Sequence, residues 1–450
     1  MRSDDPRPEA EETPITRPTR RGFLRSAAAL GAGLCSGPNW LVPSSAQASV
    51  VGADAFGPLQ PPDAQGLMLP PEFSARIVAV AEEKPIASAA AAWPRAPDGG
   101  ATFARPDGGW VYVANSERSR GRGGARALAF DAGGEIIDAY SVLSGTTRNC
   151  AGGPTPWHTW ISCEETDFGY SYECDPFTPG SQGIARPGLG RFRHEAAAVD
   201  PETSIVYLTE DESNGLLYRF RPDVAEDLSQ GVLEALEILD PDGQGPIAPG
   251  QVRPVGWHVI PNPAPSSGLE TRFQAGQAST FDRGEGIGYA DGFCYFATTG
   301  DNRVWSLDLE NDLIRIFYDA STSADPQLTN PDNLWTSPTG DVLVAEDAGN
   351  LEIVALTPSG AVKPIVRVTG QSGTEITGPA LSPDGTRLYF SSQRAPSARG
   401  NRGVTYEVTG PFVQNPVQDV PLIGPVGTAA LALSLGWMAR RWLKGEPLSG

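Results

Sequence analysis

The sequence predicts an all-β fold, a six-bladed β-propeller with an axial metal site, on three observations. A Pro/Asp/Gly turn, a short β-branched and aromatic strand and a following acid or amide return together six times. Such turn-strand units at intervals of roughly 40–50 residues mark one multi-stranded blade per repeat. With 52 Gly and 42 Pro among 450 residues, the composition favours a turn-rich β protein over a helical one. A seven-bladed ring and a pair of β-sandwiches are the alternatives.

Taken in order, residues 1–19 are polar and Pro-rich. Thr19-Arg20-Arg21-Gly22-Phe23-Leu24-Arg25 then leads into a weakly apolar run from Ser26 to Leu34, and Ala46-Gln47-Ala48 has the small-x-small form of a signal-peptidase site. The paired arginines before Phe23-Leu24 match a twin-arginine signal. Residues 1–48 are therefore expected to be a signal peptide, exporting an already folded chain through the twin-arginine machinery. Cys35 follows Leu34 rather than a small residue, which speaks against a lipid anchor.

The body, residues 50–415, holds the repeats. Pro106, Pro156, Pro201, Asp291, Pro338 and Pro383 mark them, in steps of 50, 45, 90, 47 and 45 residues. The double step leaves room for an insertion, assigned to the irregular residues 222–280 with a short helix expected at Asp227–Leu239. Further strands with period-two alternation follow at Ala125–Phe130, Gly215–Phe220, Asn302–Leu307 and Leu351–Leu356. Gly403–Val408 is expected to close the ring against Ala75–Val80. Beyond it, Val420 to Ala439 carries no charge and is followed by Arg440-Arg441-Trp442-Leu443-Lys444. That run is about as long as a bilayer-crossing helix with a basic cytoplasmic end, so residues 420–444 are expected to form a transmembrane or sorting tail that tethers the protein.

A net charge of −20 excludes nucleic acid as a main partner and suits a surface that collects divalent cations. The acids have a pattern. Glu117, Glu165, Asp211, Asp301, Glu346 and Asp347 fall just past the repeated strands, and equivalent strand ends of a propeller meet around one axis. Carboxylates gathered there repel unless cations neutralise them, which points to a multi-metal site with calcium as the natural ion. Ordinary solvated turn acids are the plainer alternative.

The densest stretch is Asn149–Glu165, with Cys150, Cys163, His158, Trp157, Trp160, Glu164, Glu165 and Gly152-Gly153. A thiolate beside carboxylates makes a ligand set for a transition metal. Buried cysteines on a Trp-anchored strand are the structural alternative. Residues 150–156 are expected to loop back over the axis mouth, because an extended strand would hold Cys150 and Glu165 too far apart for one metal cluster. Glu164 is expected to face away from Glu165. Cys163 and Cys174 are candidates for a small-loop disulfide, and Cys294 for core.

Several stretches together resemble the exported alkaline phosphatases of the PhoX family. They are Asn149-Cys150-Ala-Gly-Gly-Pro-Thr-Pro-Trp157 with Cys163-Glu164-Glu165, Arg193-His194-Glu195, Arg283-Gly-Glu285-Gly286, Thr299-Gly-Asp301, Pro331-Asp332-Asn333-Leu334, Val344-Ala-Glu346-Asp347 and Leu381-Ser-Pro383-Asp-Gly385. They run in one order through nearly the whole mature chain. The resemblance implies a propeller whose axial site holds iron and calcium and cleaves phosphate monoesters. It implies Cys150 as the thiolate ligand to iron, and Glu165, Glu195 and Glu285 as carboxylates on iron and calcium. It implies Asn115, Glu117, Asp211, Asp332, Asn333 and Glu346 as calcium-side ligands, with Arg283 on a substrate phosphate oxygen and Glu195 as the second catalytic residue. The other readings are a calcium-only propeller hydrolase such as a lactonase, which needs neither Cys150 nor Arg283, and a non-enzymatic, metal-stabilised surface propeller.

Overall fold

A computed structural model of the chain describes residues 49–323, 326–397 and 400–414. The twin-arginine segment and the apolar C-terminal stretch lie outside the described residues. Among those described, no helix is long and apolar enough to cross a membrane.

The fold is all-β and propeller-like. Antiparallel meanders recur, and each opens with a strand that packs against the opening strands on either side. These are β1 (Pro97–Ala104), β2 (Asn149–Pro154), β3 (His194–Val199), β4 (Gly284–Ala290), β5 (Pro331–Thr336) and β6 (Ile376–Leu381). Each contacts the next, and β6 returns to β1, so the opening strands form a closed ring. Such close approach needs small residues. A Cβ on Gly99 would lie 2.5 Å from the Ala151 Cα, and one on Gly286 would lie 2.3 Å from the Leu334 nitrogen.

The repeated turn-strand copies are the second strands of these meanders, not the first. Trp110–Ser116, Trp160–Glu164, Val206–Glu210, Phe293–Thr298, Val342–Glu346 and Arg387–Ser392 each pair with the opening strand before them. The Pro/Asp/Gly turns are the hairpins between the two. Apolar side chains fill the spaces between sheets, as where Trp110 stacks on Phe130 and Tyr112 on Tyr389.

The third and fourth meanders depart from the expected plan. Residues 222–280 are not irregular throughout: Asp227–Ile238 and Val252–Val259 are strands, the first of them where a helix is expected. Asp227–Ile238 pairs with Gly215–Val224 on one side and Val252–Val259 on the other. Val252–Val259 also pairs with Leu313–Asp319, which joins the third and fourth meanders into one ten-stranded sheet. The helix-forming Leu-Glu-Ala-Leu-Glu segment is overridden because Leu233 and Ala235 pack into one core cluster while Leu236 packs into another. The expected closure does occur, with Ser74–Val80 against Val404–Thr409.

No disulfide joins Cys163 to Cys174; both are free and buried. Cys163 stands opposite Ser171 in the ladder and Cys174 opposite Trp160, three residues away. An odd offset puts them on opposite faces of the sheet, so they belong to different core clusters. Cys294 is core, as expected.

Candidate metal centre

One local device, repeated around the ring, builds the site. The last residue of each second strand pairs with the first residue of its opening strand, as Ser116 does with Pro97 and Glu164 with Asn149. In the first five meanders the ladder then slips, between Pro97 and Gly100, Asn149 and Gly152, His194 and Ala197, Gly284 and Ile287, and Pro331 and Leu334. The second residue of the strand sits inside that irregularity, where a bulge can re-aim a side chain. Those residues are Asp98, Cys150, Glu195, Glu285 and Asp332. In the sixth meander the slip comes later and the equivalent is Thr377, whose hydroxyl donates to the Pro97 carbonyl.

A second tier lies one residue past each second strand: Glu117, Glu165, Asp211, Thr299, Asp347 and Gln393. Each donates its backbone N–H, at 2.8–3.1 Å, to the carbonyl of the residue just before the opening strand. These carbonyl residues are Ala96, Arg148, Arg193, Arg283, Asn330 and Glu375. Ala96, Arg148, Arg283 and Asn330 adopt left-handed φ of 45–58°, so the turn that delivers them carries backbone strain.

The tiers converge on a cleft of about 530 Å³, where Cys150, Glu117, Glu165, Glu195, Asp211, Arg283, Glu285 and Asp332 all line the wall. Cys150 and Glu165 meet there without any looping back. Residues 149–154 and 160–164 form one hairpin whose turn lies at the far end, so its two open ends share one edge. Glu164 faces away and accepts from the Thr147 and Tyr170 N–H groups. His194 is buried between the Ser171 hydroxyl and the Gly190 carbonyl, and burial pushes it down to about 4, so it is a neutral anchor for the start of β3.

Not every candidate reaches the cleft. Asn115 is fully buried, donating to the Cys150 and Ala151 carbonyls and accepting from Trp160 and Ser162, so it holds the Cys150 segment. Asn333 donates to Asp332 and accepts from the Gly378 N–H. Glu346 accepts from the Thr329 and Glu352 N–H groups inside its own sheet. Asp301 is held by Thr298 and Arg303. Conversely, Asp98, Glu375, Arg148, Arg193 and Arg394 were not among the ligand candidates.

Three groups of donors could each surround an ion, with ligand atoms within 4.8 Å of one another: Cys150–Glu165–Glu195, Glu195–Glu285–Asp332 and Asp98–Glu117–Glu375. Glu195 belongs to two of them. Its Oε1 is buried and has no hydrogen-bond partner. Arg283 Nη2 lies 3.0 Å from Glu285 Oε1, but without hydrogen-bond alignment, so that buried oxygen also lacks a donor. Orphaned, buried carboxylate oxygens converging on one point fit a cation.

Electrostatics agree. Burial, then mutual repulsion among Glu285, Asp332 and Glu165, holds the Glu195 carboxyl well above the carboxylate range. Glu285 and Asp98 are raised for the same two reasons. Asp332 is pushed up to about 8 and Glu375 to about 11, by burial first. Burial also pushes the Cys150 thiol up, with Asp98, 3.6 Å from the sulfur, the next cause.

An alternating chain of ion pairs rims the mouth. Arg394 reaches Glu375 and Glu117, and Arg148 joins Glu117 to Glu165 at 3.2 and 2.9 Å. Arg193 joins Glu165 to Asp211, and Arg283 grips Asp211 through two hydrogen bonds of 2.8 and 3.1 Å. Nine carboxylates still face four guanidiniums around the cleft. The excess negative charge is what bound cations would neutralise.

The sequence profile of the family described as alkaline phosphatase PhoX matches residues 29–315 and 315–396. No curated protein sequence matches the chain. Among solved structures, Pseudomonas fluorescens PhoX in complex with vanadate, a transition state analogue, superposes with a TM-score of 0.64 at 17% identity. That match covers 79% of this chain and 97% of that one. The gluconolactonase XC5397 from Xanthomonas campestris matches with a TM-score of 0.44 at 12% identity, over 79% of this chain and 98% of that one.

Proposed function

The chain belongs to the alkaline phosphatase PhoX family, and from that premise we propose that it is an exported, metal-dependent phosphatase hydrolysing phosphate monoesters in the axial cleft. Counting each meander as one blade, the ring is read as a six-bladed propeller. The carrying observation is the pair of donor groups that share Glu195.

The donor chemistry suggests which ions would sit where. Cys150 with Glu165 and Glu195 suits iron, because a thiolate selects a transition metal. The all-carboxylate groups Glu195–Glu285–Asp332 and Asp98–Glu117–Glu375 suit calcium, a hard cation that takes oxygen ligands. Bound there, such ions would supply Lewis acidity toward phosphate oxygens. Asn115 and Asn333 then act as positioning residues for Cys150 and Asp332 rather than as ligands.

The chain's own task is to receive and orient a phosphomonoester dianion. Arg148, Arg193, Arg283 and Arg394 ring the mouth, and guanidinium groups match phosphate oxygens in charge and planar geometry. Asp211 fixes Arg283 by its Nε and Nη2 edge, so that the group is aimed before substrate arrives. A calcium-only lactonase would have no use for Cys150 or for this arginine chain. Export and a membrane-tethering tail remain part of the proposal.

The test is turnover of p-nitrophenyl phosphate by protein purified with its own metals. Release of p-nitrophenolate at alkaline pH is expected. No turnover at any pH with metals bound would overturn the phosphatase reading in favour of a binding or structural role.

A further inference from the structure

A second cleft, of about 410 Å³, opens beside the first sheet and is basic in an otherwise acidic protein. Arg95, Arg118, Arg122 and Arg126 line it, against a chain charge of −20. Its carboxylate, Glu82, is already paired with Arg402. Among the described residues, none of the four arginines has an ion-pair partner, whereas the arginines of the axial cleft are all paired.

Two of the four are hydrogen-bonded without being neutralised, Arg122 through its Nε to the Ser119 carbonyl at 3.2 Å. Arg126 Nη1 donates to the Ser141 hydroxyl at 2.7 Å, but its Nε is buried with no hydrogen-bond partner. Burial, then repulsion from Arg122 and Arg95, lowers the pKa of Arg118. Like charges crowded in one cleft and left unpaired are unfavourable until an anion enters. The chain leaving the second strand runs between the two clefts: Glu117 lines the axial cleft, while Ser116 and Arg118 on either side line this one.

We propose that this cleft is a second anion site that takes a phosphate-class oxyanion. Several guanidinium forks can share the oxygens of one phosphate, and none of these four has a carboxylate partner among the described residues to displace first. The occupant is either free inorganic phosphate or a second phosphate carried by a substrate bound in the axial cleft. The latter source rests on the phosphatase reading above; the anion site itself does not.

Phosphate binding to the full-length, metal-containing protein tests it. Equilibrium dialysis with inorganic phosphate is run on wild type, on Arg122→Glu and on Arg118→Ala/Arg122→Ala. Arg122 is exposed, so its reversal leaves packing intact. Expected is one molar equivalent fewer in the double variant and at least a tenfold weaker equivalent in Arg122→Glu. If the axial cleft binds no phosphate, wild type falls to one equivalent and the double variant to none, so the difference still reports this site. Equal stoichiometry and affinity in wild type and both variants would overturn the proposal.

Kinetics separate the two sources. A tenfold rise in KM for a sugar bisphosphate in the variants, with p-nitrophenyl phosphate turnover unchanged, assigns the site to the substrate's second phosphate. Unchanged KM for both esters alongside lost phosphate binding assigns it to free phosphate.

Discussion

Glu195→Gln is expected to lower p-nitrophenyl phosphate turnover by roughly a thousandfold or more while leaving the protein folded. The magnitude follows from position. Glu195 is the one side chain common to the thiolate-containing and the all-carboxylate donor groups, so neutralising it weakens two candidate ion sites together. Loss of a single preorganised electrostatic group typically costs about a hundred- to a thousandfold in turnover, and here two ions would be disturbed. The glutamine keeps the shape, and the backbone register of β3 against Val206–Glu210 does not depend on the charge. Steady-state kinetics with circular dichroism as the folding control checks this. Turnover within tenfold of wild type would remove Glu195 from the centre of the mechanism.

Stripping the metals is expected to destabilise the protein strongly, and more so as pH rises. The sign follows from the raised carboxyls. A group whose folded pKa lies above its ordinary value contributes stability below the ordinary pKa and loses it as pH climbs through the folded one. For Asp332 that window runs from about 4 to about 8, and for Glu375 it extends to about 11. Glu195, Glu285 and Asp98 shift in the same direction, again through burial and repulsion. Protons offset the crowding in acid, and only cations do so at alkaline pH. An ion present at a thousand times its Kd adds about 4 kcal/mol, or roughly a 5 °C rise in melting temperature for a chain of this size, and two such ions about twice that. Chelator-treated protein should therefore melt at least about 10 °C below the untreated protein at pH 8, with the gap narrowing toward pH 5. Coincident melting curves at pH 8 would show that the carboxylates do not depend on bound cations.

Much of this architecture was legible because the hairpins advertise themselves. The Pro/Asp/Gly turns and β-branched strands repeat with the blade period, and Ser74–Val80 closes the ring as its alternation suggested. What the pattern concealed was the strand before each turn, which carries the deeper tier of donors. Pro97-Asp98-Gly99-Gly100 reads as another turn, since the same residue types make a true one at Pro106-Asp107-Gly108; only the ring shows that Asp98 opens a strand. The same offset explains Glu346 and Asp301. Counting acids from the strand end named Glu346 and Asp347 together without fixing which turns inward, and the family resemblance carried over Glu346, whereas Asp347 lines the cleft. It likewise selected Asp301, where the equivalent position is Thr299.

Arg148 and Arg193 share the place of Arg283 in the repeat, immediately before an opening strand, and that spacing was the available signal for these two arginines. Glu375 occupies the same place with the opposite charge, so no residue-type pattern picks it out. Asp227–Ile238 was misread because its leucines and glutamates have helical propensity, whereas a strand on each side supplies the hydrogen bonds that decide its conformation.

The central claim is that one cleft holds a thiolate-bearing transition-metal site beside carboxylate-only sites. Element-resolved metal analysis of protein purified from its native source, alongside Cys150→Ala, tests it most directly. Iron and calcium together in the wild type, with iron selectively lost in Cys150→Ala, is the predicted result. Calcium alone, with the same metal content in Cys150→Ala, would contradict it.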